Sequence, residues 1–506
     1  MSPDQTDRWK ARSIVWVAGF ALLTPGLGSA RSLTYHEVCF AQPAREMLAT
    51  GRWIVPEIAG VVFPDKPPLA HWTAAVSMAL LGENEFAVRL PFALAGVLLA
   101  AIIAELAMAF RGPFVGAVAG LVQLTSYYTL MQARLAECDI LLALAVTAGL
   151  SAIALGEFRT ECSDSRLSLR ESARPLRSIV FVHFCAAAAF LAKGPLGLFF
   201  VCAPVLAFLL LERRWRAILH WLHPAGLCVS LAAVVGWPLA ALWSRPEILD
   251  GWKRHNLDRF SGTLEADATW PIYYLGMIPM LLLPWTPWLV YGWWSKGDNE
   301  DAKRLKRLTL CWVLPGLLVI SAASWRHKHY AIPLLPVLSL WSAVGLVAWS
   351  RRTGGARNLW RVPSGFRPPL ALASLFLSVA AVECVALHWI VPRFDSYRHQ
   401  ATFARRIAER IGDEPLHVPY IPTGHGVPLA LPENQIAFYL PLQVRVMKEP
   451  VDAAWVLAPA RMSVELQGFE VVDRVDELRR SMTEGDRLTL FRKTTAIADR
   501  DGGPRR

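Results

Sequence analysis

The sequence predicts a polytopic, mostly α-helical membrane protein. About eleven transmembrane helices (range about ten to thirteen) would be joined by surface helices in the first outer loop and followed by a small C-terminal α/β domain. Three observations predict this. Of 506 residues, 54% are hydrophobic and only 18% charged, against roughly 25% charged in soluble chains. The apolar residues come in runs of about 18 or more, the length that crosses roughly 30 Å of hydrocarbon. Between the runs, Lys and Arg collect in every second loop. The 21 Trp suit aromatic belts at the two interfaces.

The apolar runs fall at 13–30, 87–109, 113–131, 138–156, 177–192, 195–211, 221–243, 270–294, 308–323, 330–349 and 368–391. The two around Lys193 read equally as one broken helix. Arg8, Lys10 and Arg12 before the first run give it the form of an uncleaved signal anchor. The N-terminus and the loops 157–176, 212–216, 295–307 and 351–361 are rich in Lys or Arg, which places them in the cytoplasm. The loops 31–86, 132–137, 193–194, 244–269 and 324–329, and everything after about Val391, then face outward. Residues 1–391 thus form a transmembrane domain, with two amphipathic surface helices in its first outer loop, 31–86. They are "EVCFAQPAREMLATG" and "PLAHWTAAVSMALLG", joined by the proline-rigidified turn "FPDKPP". "PEILDGWKRHNLDRF" offers a third surface element. Residues 392–495 read as an extracytoplasmic α/β domain, with a helix at "QATFARRIAERIG" and strands at "AAWVLAP" and "RLTLFRK", and 496–506 as a disordered tail.

The net charge of +11 is spread over short interhelical clusters, a topology signal and not a nucleic-acid footprint. The eight Cys include no CxxC pair, so neither a zinc knuckle nor a disulfide framework is indicated. No GxGxxG or GxxxxGK[ST] stands in a strand–helix context, which argues against a nucleotide. The ionisable residues that topology does not explain collect on the outer side: His36, Glu37, Asp65, Lys66, Glu137, Asp139, Lys193, Lys253 to His255, Asp258, Arg259, and Arg326 to His329. Singly, each has a plainer reading, such as a snorkelling anchor for Arg259 or Lys328 and an N-cap for Asp139. Together, "DKPP" and "AKGPLG" set a cation beside helix-breaking residues, and a Lys near a helix N-terminus favours phosphate. The residues thus describe an outward-facing site for an anionic ligand, with acids nearby.

The succession "HEVCFAQPAREMLATGRWIVP", "FPDKPPLAHW", "ENEFAVRLP", "ARLAECDILLAL", "LAKGPLGL", "RHNLDRF", "PWTPWLV" and "WRHKHYAIPLLP" resembles the aminoarabinose lipid A transferases and their relatives, the protein O-mannosyltransferases. These are integral-membrane glycosyltransferases of the GT-C type. The resemblance implies transfer of a sugar from a polyprenyl-phosphate donor to a lipid A-like or protein acceptor. The reaction would take place at the extracytoplasmic face of the inner membrane, with no nucleotide and no nucleic acid. It implies catalytic roles for His36, Glu37 and Asp139. It implies donor-phosphate binding by Lys66, Lys193, Arg259, Arg326, Lys328 and Tyr330, and a divalent ion, zinc or magnesium, on Asp65 and His255. Two positions depart from the family: His36 replaces the first acid of an Asp-Glu pair, and Cys39 replaces an Arg. Neutral His36 could be the base, Glu37 or Asp139 could replace it, or the acceptor could arrive as an anion. A catalytically altered or inactive relative is one alternative. An anionic-lipid transporter is another, and the absence of an internal repeat counts against it.

Overall fold

A computed structural model describes residues 3–29, 31–159, 176–213, 217–253, 272–295, 300–353, 370–394, 398–419, 434–440, 444–447, 453–476 and 483–494. In chain order the first elements are α1 (Pro3–Leu23), α2 (Tyr35–Thr50), β1 (Glu57–Ile58), β2 (Val61–Val62), α3 (Leu69–Leu81), α4 (Glu85–Arg111), α5 (Pro113–Leu124), α6 (Tyr127–Ala133), α7 (Cys138–Arg159) and α8 (Leu176–Leu211). The chain forms two compact units. One holds residues 1–30, 53–55 and 64–393, the other residues 31–52, 56–63 and 394–506.

The first unit is a multi-pass helical bundle. Seven of its described helices are long and apolar enough to cross a membrane: α4, α7, α8, and the segments Pro224–Ser244, Ala302–Ala322, Lys328–Arg352 and Ala371–Arg393. Two bent pairs, α5 with α6 (67°) and Tyr273–Leu281 with Thr286–Trp294 (105°), raise this to nine. The eleven expected differ at two places. α1 starts on polar, charged residues and is apolar only in its second half, and α8 unites two of the expected spans across a break.

Local chemistry sets the helix ends. Asn84 accepts from the Ala87 N–H at 2.9 Å to start α4. Gly112 ends α4, and Pro113 opens α5. The last carbonyls of α1 and its turn have side-chain donors. Arg134 reaches Leu22, Leu23 and Pro25 at 3.1, 3.0 and 2.6 Å, and Arg89 reaches Leu27 at 2.7 Å. The Arg residues of "AVRLP" and "ARLAE" therefore tie the bundle together. In the core, the helix Thr286–Trp294 crosses Leu335–Thr353 with backbones in contact. A methyl group on Gly345 would sit 1.9 Å from the Trp288 carbonyl oxygen, and one on Gly292 2.1 Å from that of Trp341.

The second unit has a five-stranded mixed sheet. Its strands are β3 (Leu416–Pro419), β4 (Val444–Met447), β5 (Trp455–Pro459), β6 (Phe469–Arg474) and β7 (Leu488–Lys493), in the order β4-β3-β5-β7-β6. β3 runs parallel to β4 and β5, and β7 is antiparallel to both β5 and β6. The amphipathic helix Arg398–Ile411 covers the sheet with Phe403, Ala404, Ile407 and Ile411, as its period of 3.6 predicts. The expected tail, 496–506, lies outside the described residues.

The same unit contains α2, which corrects one expectation. The sequence places the apolar face of α2 on the membrane surface, whereas in the structure protein covers it. Arg45 donates to the carbonyls of Phe438 (3.2 Å) and Leu440 (2.7 Å), and Leu33 N–H donates to the Tyr439 hydroxyl at 2.9 Å. The division of the chain accordingly differs from one that keeps all of 31–86 with the transmembrane helices. The hairpin β1–β2 was not anticipated. Its turn holds Ala59 at φ 52° and Gly60 at φ 77°, a conformation that costs a non-glycine residue about 1–2 kcal/mol. Glu46 clamps it, accepting from the Ala59 N–H at 2.6 Å and the Gly60 N–H at 3.4 Å. Burial holds the Glu46 carboxyl above the usual range despite those bonds, so its contribution to stability is full in acid and falls as pH rises through its folded pKa. Ala59→Gly keeps the turn and relieves the strain. It is expected to stabilise the protein by about 0.5–1 kcal/mol, read as a higher melting temperature, and a lower one would contradict this account.

Candidate functional site

The site is built around a break in a spanning helix. In α8, Lys193 (φ −146°, ψ 24°) and Gly194 (φ 62°, ψ −145°) leave the helical region, and Pro195 restarts the helix. Gly194 occupies a region essentially reserved for glycine, and Pro195 cannot donate to the turn before it. The sequence "AKGPLG" thus dictates the interruption. Irregular backbone at membrane depth is tolerated only where it is buried in protein or lines a cavity. Here it lines one.

The cavity holds about 430 Å³ and is walled mainly by apolar and aromatic side chains, among them Phe190, Trp237, Trp252, Val319, Ile320 and Trp325. Its polar lining comes from Asp65, Lys66, Lys193, Lys253 and Tyr330. That size and that mix of apolar wall with a few polar groups are typical of small-molecule sites. Lys66 Nζ donates to Asp65 Oδ1 at 2.9 Å and to the Asp65 carbonyl at 3.3 Å. Burial alone would lower the pKa of the Lys66 ammonium, but the adjacent Asp65 carboxylate outweighs it and holds the group above its ordinary value. Lys193 is buried in a salt bridge with Asp139, in the first turn of α7. Asp139 is therefore an ion-pair partner inside the helix and not its N-cap. The Lys193 ammonium also lies 4.3 Å from the centre of the Tyr330 ring, a favourable cation–π position. Among the described residues, three ammonium groups (Lys66, Lys193, Lys253) face two carboxylates (Asp65, Asp139), a surplus of one positive charge.

Other expected residues lie elsewhere. Arg326 donates to the Ser321 carbonyl at 3.2 Å and the Lys328 ammonium stands 5.5 Å from the Tyr128 ring centre; neither lines the cavity. The "WRHKHY" turn instead contributes Trp325 and Tyr330, while His327 and His329 stack at 5.2 Å. His329 also stands within electrostatic reach of Asp139. Arg259 and His255 lie outside the described residues. Among the described residues, no three His, Cys, Asp or Glu side chains converge to hold a metal ion. His36 and Glu37 belong to the second unit. Glu37 is fully buried, forms a capping box with Thr34 at the start of α2 and pairs with Arg31 at 3.5 Å. Both Glu37 and Asp139 are thus committed to partners. Cavity residues to which the sequence assigns no role include Lys253 and the tryptophans 237, 252 and 325. Lys253 carried a signal, an unexplained outer charge, whereas Trp residues in apolar runs look the same whether they face lipid or a cavity.

Residues 65–238 match the family of dolichyl-phosphate-mannose-protein mannosyltransferases. That stretch contains Lys66, Asp139 and Lys193. Over its whole length the chain is similar to the crystal structure of ArnT from Cupriavidus metallidurans bound to undecaprenyl phosphate. The TM-score is 0.70 at 17% identity, over 98% of this chain and 99% of that one. The fold is the GT-C fold. A second solved example, the Archaeoglobus fulgidus oligosaccharyltransferase, aligns with a TM-score of 0.53 at 12% identity, over 90% of this chain and 70% of that one. Two curated relatives carry the name undecaprenyl phosphate-alpha-4-amino-4-deoxy-L-arabinose arabinosyl transferase. The one from Edwardsiella ictaluri is 28% identical over 343 residues, 66% of this chain and 58% of the relative. The one from Shewanella sediminis is 29% identical over 331 residues, 63% and 57% of the respective chains. The chain thus spans less than two thirds of the length of these relatives. Within the GT-C fold, the helix break at Lys193 and the turn at Lys66 converge on one cavity.

Proposed function

We propose that this protein transfers a sugar from a polyprenyl-phosphate-linked donor to a lipid or protein acceptor at the extracytoplasmic side of the membrane. The observation that carries the reading is the surplus positive charge on an apolar-walled cavity at the Lys193 break. A donor of this class has the matching parts, a phosphate beside a long apolar chain. When the sugar–phosphate bond breaks, negative charge grows on the departing phosphate, and ammonium groups already in place stabilise it without reorganisation. In this reading Lys66 and Lys193 hold the phosphate. Asp139 fixes Lys193, and Asp65 fixes Lys66. The names of the curated relatives support undecaprenyl phosphate as the carrier.

The test uses the purified full-length chain with undecaprenyl-phosphate-linked sugars and a lipid A acceptor, followed by extraction and mass analysis of the product. Lys66→Ala is expected to reduce transfer by about 10²–10³-fold, and Lys66→Arg to restore part of it. Because Asp65 raises the pKa of Lys66, its charge and the stability linked to it persist up to about pH 10 and are lost only above that. The rate should therefore show no limb from Lys66 between about pH 6 and 9. Undiminished transfer by Lys66→Ala would rule the assignment out.

A further inference from the structure

At the opposite, cytoplasmic end of the bundle, two cations converge on one buried ring. Arg111, the last residue of α4, has its guanidinium carbon 5.9 Å from the centre of Trp341, and Lys306 has its ammonium 5.7 Å from the same centre and 5.8 Å from Trp293. Trp341 is fully buried, and its indole N–H donates to Thr309 Oγ1 at 2.8 Å, so the ring is fixed. Several neighbouring cations on this side are paired with carboxylates: Arg12 with Glu105, Arg304 and Arg307 with the shared Glu212, Lys303 with Glu300. Among the described residues, Arg111 and Lys306 form no such ion pair, and the Arg111 Nε–H is buried without a hydrogen-bond partner. Cation–π contact at roughly 0.5–2 kcal/mol does not offset two half-buried like charges.

We infer that Arg111 and Lys306, over Trp341, form a binding site for the phosphate headgroup of an anionic phospholipid of the cytoplasmic leaflet. A phosphodiester supplies the missing countercharge and an acceptor for the Arg111 N–H. A lipid fits better than a soluble phosphate because the helices that carry the site also expose Val290, Trp294 and Leu310, an apolar surface that acyl chains would cover. Basic pockets between helices at the cytoplasmic side suit such headgroups, with roughly fivefold in affinity for each cation.

The test measures lipid retention by the purified full-length protein in detergent by native mass spectrometry. Phosphatidylglycerol is the probe, with phosphatidylcholine and inorganic phosphate as comparisons. Phosphatidylglycerol is expected to be retained over phosphatidylcholine, and Arg111→Gln with Lys306→Gln to lower its retention by about 10- to 30-fold. Lys303→Gln, at an exposed pair, should change nothing. Should the double variant not fold, Lys306→Gln alone is expected to lose about fivefold. Equal retention of the two lipids, or unchanged retention in the variants, overturns the proposal. Displacement of phosphatidylglycerol by millimolar inorganic phosphate overturns the lipid assignment in favour of a soluble anion.

Discussion

Lys193→Ala is expected to reduce sugar transfer by about 10²–10³-fold and to destabilise the protein as well. The two effects have separate causes. Activity falls because, in the proposed reaction, a cation next to the departing phosphate is gone. Stability falls because the Asp139 carboxylate, buried in the first turn of α7, loses its countercharge, and breaking such a pair costs about 3–5 kcal/mol. Asp139→Asn should cost similar stability by leaving the ammonium unpaired. Replacing both residues, Lys193→Met with Asp139→Leu, removes both charges and should recover much of the stability but none of the transfer. Melting temperature and transfer rate, measured on the same three proteins, separate the roles. If Lys193→Ala transferred within about threefold of wild type, the cavity would not be the place where the phosphate departs.

Gly345→Val is expected to prevent recovery of a folded protein. The added Cβ would lie 1.9 Å from the Trp288 carbonyl oxygen and 2.6 Å from the Gly292 amide nitrogen. Both are backbone atoms, so no flexible side chain can yield and the two helices must separate. Overpacking usually costs about 1–3 kcal/mol, and a backbone-to-backbone clash lies at the upper end or beyond. The displacement would also open the Trp285, Trp288, Trp293 and Trp341 cluster packed around this crossing. Gly276→Ala is the control. Nothing lies within 4 Å of its added carbon, and a helical Ala is favoured over Gly by up to about 1 kcal/mol. Size-exclusion chromatography and thermal unfolding of the three proteins decide it. A monodisperse Gly345→Val protein with wild-type melting would contradict the packing account.

How much of this was legible in the sequence depended on whether the signal was local. The break at Lys193 was readable because Gly and Pro act on the backbone where they stand. The strands Trp455–Pro459 and Leu488–Lys493 and the helix Arg398–Ile411 were readable from their periods. The placement of α2 was not. A helical pattern announces that one face is buried but not what buries it, and the partner, residues 434–440, lies almost four hundred positions further on. The Gly292–Gly345 contact was hidden for the same reason, since each glycine stands alone in an apolar run. In the site, Lys66 and Lys193 could be singled out because they are polar where polarity is costly, whereas Tyr330 was named only through the family resemblance. That Arg326 and Lys328 stand outside the cavity while Tyr330 lines it depends on the path of a few residues, which no pattern encodes.

The interrupted helix has one more chemical consequence. Backbone groups released from the helical ladder at Lys193 and Gly194 need other hydrogen-bond partners, and in a cavity of this kind part of that role falls to water. For the proposed reaction that water is a rival nucleophile, present at far higher concentration than any acceptor. The walls limit it: Trp237, Trp252 and Trp325 line the cavity with groups that cannot act as a base, and the carboxylates nearest the two lysines are already held in salt bridges. The same pairing that immobilises the cations therefore disarms the groups that would otherwise activate water, so a bound donor can persist until its acceptor arrives.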